Sequence, residues 1–259
     1  MHPDSTKRFS SRAENYVRYR PGYPAEIVEL LKAECGLRPE HMIVDIASGT
    51  GIFTRLLLEN GNRVYGVEPN AEMRTAGDEF LAQYQNFSSI TGAAEDTTLA
   101  AGTMDFVTAA QAAHWFDRDQ ARREFVRILK PEGWCVLVWN SRRSESSEFQ
   151  REYERLLSTY GSDYRSVRHE HTTDRIHDFF SPAPFQFRNF EMRQEFDYEG
   201  LEGRLLSSSY TPQSGDARYG PMLLDLRGIF NAYQRNGRIT LEYDTDVYYS
   251  QLSRKPATT

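Results

Sequence analysis

Along the first half of the chain, apolar residues gather in blocks that switch between two periods. "MIVDIA" (42–47), "RVYGVE" (63–68), "MDFVTAAQ" (104–111) and "WCVLVWN" (134–140) are short apolar runs, the pattern of strands buried on both faces. Between them, "IFTRLLLENG" (52–61), "NAEMRTAGDEFLAQY" (70–84) and "DRDQARREFVRILK" (117–130) carry apolar residues at helical spacing. Asn70 stands where a helix cap belongs, and Gly61 closes the first of these helices. "FSSIT" (87–91) predicts a weaker strand. Upstream, "PAEIVELLKAECG" (24–36) predicts a helix with Pro24 in its first turn and Gly36 at its end. "SRAENYVRYRPGYP" (11–24) predicts a shorter one, with Ser11 and Glu14 at capping-box spacing and Pro21 ending it.

After Asn140 the pattern changes. A polar stretch, "SRRSESSE", leads into a helix over 148–160, and "TTDRIHDFF" (172–180) predicts another short one. "FQFRNFEMRQEFD" (185–197) and "RITLEYDTDVYYSQL" (238–252) alternate apolar with polar residues, as half-buried strands do. Helices near "YEGLEGRLLSSS" and over 216–236 lie between them. Strands alternating with helices imply right-handed crossovers and a parallel sheet. The expected fold is therefore α/β: a Rossmann-like, doubly wound, mostly parallel seven-stranded sheet with an antiparallel last strand and a small helical cap.

Composition narrows the function classes. With 259 residues, 39% of them hydrophobic and 13% aromatic, the chain can bury a real core. A formal net charge of -6 gives no support to a nucleic-acid partner. Cys35 and Cys135 stand far apart, so neither a disulfide framework nor a zinc cage is expected, and no metal is called for. The opening "MHPDSTKRFS" lacks an apolar signal core, and no run approaches a membrane span. The expectation is a cytoplasmic protein without a membrane partner; a homodimer is compatible with the sequence.

The turn "VDIASGTG" (44–51) joins a strand to a helix and is the first candidate for chemistry. It lacks the lysine of a P-loop. Gly49 and Gly51 fit the first two glycines of a dinucleotide fingerprint, but its third falls on Thr54, which disfavours NAD. The alternative pattern, D-x-G-x-G-x-G, takes Asp45, Gly49 and Gly51, with Ala47 in place of its first glycine. Glu68, ending the next strand, is a carboxylate suited to a ribose diol. Glu95, in "GAAEDT", meets either an adenine edge or water.

Taken together, "YVRYRPGYP", "VDIASGTG", "VYGVEPNAEM", "GAAEDT", "TAAQAAHWFD" and "LKPEGWCVLVWN" make residues 9–140 resemble class I S-adenosylmethionine-dependent methyltransferases. The likeness is to the small-molecule branch that contains trans-aconitate methyltransferase. It implies S-adenosyl-L-methionine as cofactor, with Asp45, Ala47, Gly49, Thr50 and Gly51 around its amino-acid end and Glu68 and Pro69 at its ribose. It places Met73, Ala94 and Glu95 near the adenine, and Ala110 and Gln111 near the transferable methyl. Tyr16 and Arg20 would belong to a lid over the cofactor.

The resemblance also implies a division of a single methyltransferase domain over 1–259. Residues 1–23 form the lid, 24–140 the cofactor-binding core, 141–236 the substrate and cap region, and 237–259 the last strand and tail. His114, Trp115 and Tyr210 are the candidate substrate residues, and His114 is the candidate general base. Each has a plainer reading. Met73 and Trp115 suit a core, His114 a hydrogen-bonded structural histidine, Tyr16 the docking of a surface helix, and the serines beside Tyr210 a helix cap. The expected reaction is methyl transfer to a small-molecule substrate. The rivals are a non-catalytic nucleoside-binding module and an NAD-dependent oxidoreductase.

Overall fold

The computed structural model describes residues 18–162, 164, 176 and 178–252. Seven strands form one sheet in the order β3-β2-β1-β4-β5-β7-β6. They are β1 (Met42–Ile46), β2 (Arg63–Val67), β3 (Phe87–Ile90), β4 (Met104–Ala110), β5 (Leu129–Arg142), β6 (Gln186–Phe196) and β7 (Ile239–Ser250). The first five pair in parallel, whereas β7 runs antiparallel to both β5 and β6. Strand order reverses between β1 and β4, which opens a crevice at their carboxyl ends.

The helices are α1 (Glu26–Cys35), α2 (Ile52–Glu59), α3 (Ala71–Phe80), α4 (Arg118–Ile128), α5 (Glu148–Tyr160), α6 (Tyr198–Leu206) and α7 (Tyr219–Tyr233). The cap predicted at Asn70 forms, and two side chains that the sequence did not single out cap further helices. The Asn70 side chain accepts from the Met73 N–H at 2.9 Å, and Asp117 and Ser147 cap α4 and α5 in the same way. Each such cap contributes about 1 kcal/mol. Gly36 closes α1 at φ 68. Pro24 lies one residue outside the start of α1, because Ala25 occupies the cap position. The predicted helix over 216–236 shortens to α7. Half of the predicted helix at 11–24 and more than half of that at 172–180 lie outside the described residues, as does Tyr16.

Alternate residues of each central strand feed opposite layers. Val44, Ile46, Val107, Ala109 and Leu137 face α4 and the Phe179–Phe180 pair. Ile43, Val64, Phe106, Val136 and Val138 face α1 and α2. This two-faced burial is why these strands read as unbroken apolar runs.

A third core joins α5, α6 and α7 to Ile239, Leu241 and Tyr243 of β7. The cap is thus built on the near half of β7, while Val247, Tyr248 and Tyr249 of the same strand pack in the sheet cores. Among the described residues, no helix is long and apolar enough to cross a membrane.

Candidate functional site

The crevice at the switch point is built from the turn after β1, the end of β4 and the Arg20–Tyr23 segment. Arg20, Asp45, Ala47, Gly49, Thr50, Ala110 and Gln111 line it. Seven of the sequence-predicted residues are thereby brought together. The turn needs left-handed backbone, with Gly49 at φ 56 and Gly51 at φ 81. Gly51 serves the fold, because a Cβ there would lie 2.5 Å from Leu81 Cδ1.

Ala47 holds φ 54 and Gln111 φ 58, so two residues with side chains that line one crevice occupy the region that favours glycine. This gives the glycine at the Ala47 position of the related pattern its physical reason.

Asp45 is buried, and both of its oxygens are occupied. β1 and β4 align Asp45 with Thr108, whose hydroxyl donates to it at 2.9 Å. Thr54, one turn into α2, donates to the other oxygen at 2.6 Å. Burial pushes the Asp45 carboxyl up to about 7 against those two bonds, and the nearby Glu68 adds to the rise. Thr54 is the residue that stands at the third glycine of a dinucleotide fingerprint. Here its hydroxyl has a partner that a glycine would leave empty.

Glu68 is 7% exposed and ties β2 to the turn. Its Oε2 accepts from the Gly49 N–H at 3.0 Å and its Oε1 from the Asn70 N–H at 2.8 Å. Burial raises its pKa, and the two backbone donors oppose that. Pro69 follows it, half-buried. Met73 is buried beside the turn, with its Cε 3.4 Å from where a Gly49 Cβ would stand.

Other predicted residues stand apart from the crevice lining. Ala94 is in the sheet core, and Glu95 accepts from the Asp117 N–H at 2.8 Å, adding a bond at the start of α4. His114 and Trp115 lie on a single 3-10 turn, Ala113–Trp115. The imidazole packs 4.2 Å from the Trp115 ring and edge-on to buried Trp139 at 5.1 Å. Tyr210 lies in the cap beside Arg142.

Two features escaped the sequence reading. Asn140 joins three parts of the site: its carbonyl accepts from Gln111 Nε2 at 2.8 Å, its amide donates to the Gly22 carbonyl at 3.0 Å, and its Oδ1 accepts from Thr245 at 2.7 Å. In the cap, Arg142, Glu154 and Arg204 form a buried polar group. Arg142 and Glu154 sat in stretches that scan as polar surface, so only tertiary placement reveals them.

Residues and backbone in the crevice offer defined chemistry. Thr50 Oγ1 and Gln111 Oε1 are buried in its lining and have no hydrogen-bond partner among the described residues. Gln111 spends its Nε2 on Asn140, so its oxygen remains as an acceptor. The Thr50 hydroxyl can donate or accept and the Gln111 oxygen can accept, so a ligand that offers a donor such as an ammonium suits this pair.

Residues 44–137 match the family model described as Methyltransferase domain. That stretch is similar to methyltransferase domains. Over 162 residues the chain is 34% identical to an uncharacterized methyltransferase of Mycobacterium tuberculosis, covering 62% of this chain and 63% of that protein. It is 29% identical over 158 residues to an uncharacterized methyltransferase-like protein of Schizosaccharomyces pombe, covering 61% and 60%. The matches thus span just under two thirds of these relatives' length.

Among solved structures, the YcgJ protein from Bacillus subtilis aligns over 87% of this chain and 97% of its own, with a TM-score of 0.55 and 21% identity. The Haemonchus contortus phosphoethanolamine N-methyltransferase 2, solved with phosphomonomethylethanolamine and S-adenosylhomocysteine, aligns over 95% of this chain and 58% of that one. Its TM-score is 0.52 at 15% identity. At these identities the likeness concerns the fold.

Proposed function

We propose that the protein transfers a methyl group from S-adenosylmethionine to a small-molecule acceptor. One observation carries the reading: the turn and the end of β4 hold Ala47 and Gln111 in left-handed backbone, both in the lining of the switch-point crevice. Strain of about 1–3 kcal/mol per residue persists where surroundings impose it, and such residues cluster at functional sites. The stretch that matches the methyltransferase family model contains both residues. The motifs of the trans-aconitate branch support a small acceptor, and so does the chain's excess of acidic over basic residues, 37 against 31, which sets up no field for a nucleic acid.

In this reading Gln111 Oε1 accepts from the cofactor's ammonium, the buried Asp45 carboxyl stands behind the turn, and the N–H groups that open α2 meet the carboxylate. Glu68 takes the ribose hydroxyls, and Met73 packs on the base. The cofactor supplies a sulfonium methyl already activated for in-line displacement. What remains for the chain is alignment and exclusion of water. Arg20–Tyr23, pinned by Asn140, closes the crevice on the side of the cap. His114 acts as a base only for an acceptor that must lose a proton.

Calorimetric titration of the full chain with S-adenosylhomocysteine and with NADH tests this. The expected outcome is micromolar binding of the first and none of the second. Binding of NADH alone would move the assignment to an oxidoreductase.

A further inference from the structure

Arg20, Pro21 and Tyr23 line the crevice, and the segment they belong to is held from two sides. On the core side, Tyr23 meets the Phe53 ring of α2 edge-on at 4.9 Å, and Asn140 donates to the Gly22 carbonyl at 3.0 Å. The other end of the segment runs onto the cap.

There α6 carries a buried glycine in its interior, Gly203, although glycine is the poorest helix former after proline. Its place has a steric reason. The three atoms nearest to where its Cβ would stand all belong to the Tyr19 ring, the third of them, Cζ, at 2.6 Å. Any side chain at 203 would displace that ring. Gly203 is thus a notch in the helix surface, and Tyr19 fills it.

The neighbours of Tyr19 follow the same helix face. Glu199, Gly203 and Ser207 recur at intervals of four, so they stand in one row along α6, and Arg18, Tyr19 and Arg20 meet them in order. Arg18 approaches Glu199 at 3.8 Å, an exposed pair that adds little. Arg20 donates from Nη2 to the Ser207 carbonyl at 3.0 Å, at the C-terminal end of the helix, where a cation is favoured. Gln194 of β6 donates to the Arg20 carbonyl at 3.4 Å. Among the described residues that line the crevice, Arg20 is the one arginine or lysine. The cation of the crevice is therefore placed from the cap, well beyond the stretch, 44–137, that matches the family model.

We propose that Gly203 and Tyr19 are positioning residues of the methyl-donor site. The ring seated in the notch holds Arg20 at the crevice, so that the donor site is complete only with α6 in place. This rests on the methyl-transfer reading and adds how its donor crevice is held closed. Because the seat is steric, one methyl group at 203 evicts the ring without touching the crevice.

The test titrates the full chain with S-adenosylhomocysteine as wild type, Tyr19→Ala, Gly203→Ala and the double variant. Each single variant should bind about tenfold more weakly, the effect of losing a hydrogen bond to a charged group. The double variant should bind no more weakly than Tyr19→Ala alone, because the notch then has nothing to seat. Melting temperatures give a second readout: Gly203→Ala should raise that of Tyr19→Ala more than that of the wild type, since only without the ring does alanine simply improve the helix. Trypsin reports on the segment directly. It cuts the Arg18–Tyr19 bond, whereas Pro21 protects the bond after Arg20. Release of residues 1–18 should be several-fold faster in either single variant than in the wild type, and S-adenosylhomocysteine should slow it in the wild type.

Single variants that bind as the wild type does, or losses that multiply in the double variant, would overturn the proposal while methyl transfer stands. If the wild type binds no S-adenosylhomocysteine, the methyl-transfer reading falls and takes the donor role of the latch with it. Faster cleavage of the variants would then mark the contact as one of the fold alone.

Discussion

The Glu68 carboxylate accepts from the Gly49 N–H at 3.0 Å, joining the end of β2 to the glycine turn after β1. The same carboxylate accepts from the Asn70 N–H, so one buried side chain fixes both the turn and the start of α3. It is therefore an element of the fold as well as the proposed ribose ligand. Glu68→Ala leaves two N–H groups without their acceptor, at about 1–3 kcal/mol for each one that stays buried. A lower melting temperature and a loss of at least about tenfold in S-adenosylhomocysteine affinity are expected together. Lowered stability with unchanged affinity would confine Glu68 to the fold.

Ala47 at φ 54 carries strain that a glycine would not. Left-handed backbone costs an L-residue about 1–2 kcal/mol, and glycine's greater freedom in the unfolded chain returns about 0.5–1 of that. Ala47→Gly should therefore stabilise the protein by roughly 0.5–1 kcal/mol, raising its melting temperature by about 2 °C. Ala47→Val should lower it, since a β-branched residue fits this backbone worse still. A destabilised Ala47→Gly variant would show that the methyl group's packing outweighs the strain.

Legibility in the sequence followed periodicity and local chemistry. β1, β4 and the helix cap at Asn70 were readable because each is set by neighbours in the chain. The glycine turn was readable for the same reason. Glu95 marks where local reading stops: its acceptor role toward Asp117 joins residues 22 apart, and nothing in "GAAEDT" signals it. Asn140 reads as the polar end of a strand, yet its partners come from Gly22, Gln111 and Thr245. Arg204 lies in a helix with weak amphipathic contrast, so its burial follows from α5, α7 and β7 closing over it.

Asp45 gives the protein a pH signature. Its folded pKa, about 7, lies above the value of about 3.9 for a free side chain. Between those values the folded state holds a proton that the unfolded state has released, so stability falls as pH rises through that window and levels off above it. The loss amounts to at most about 4 kcal/mol. Melts from pH 4 to 8 should show the wild type losing stability relative to Asp45→Asn, which has no charge to bury. A pH-independent difference between the two would mean that the carboxyl is ionised throughout.

Gln111 separates stability from function at one position. Gln111→Gly removes the strain at φ 58, a gain of about 1–2 kcal/mol. It also loses the bond from Nε2 to the Asn140 carbonyl, about 0.5–1.5 kcal/mol, and adds glycine's entropy in the unfolded chain. Those terms nearly cancel, so the melting temperature should stay within a few degrees of the wild type. The variant also deletes Oε1, the buried crevice acceptor, which an ammonium needs if it is to shed its water. S-adenosylhomocysteine affinity should then fall by about tenfold or more, the cost of a hydrogen bond to a charged group. An affinity that survives would place the ammonium elsewhere, with the strain at this residue serving only the Asn140 contact.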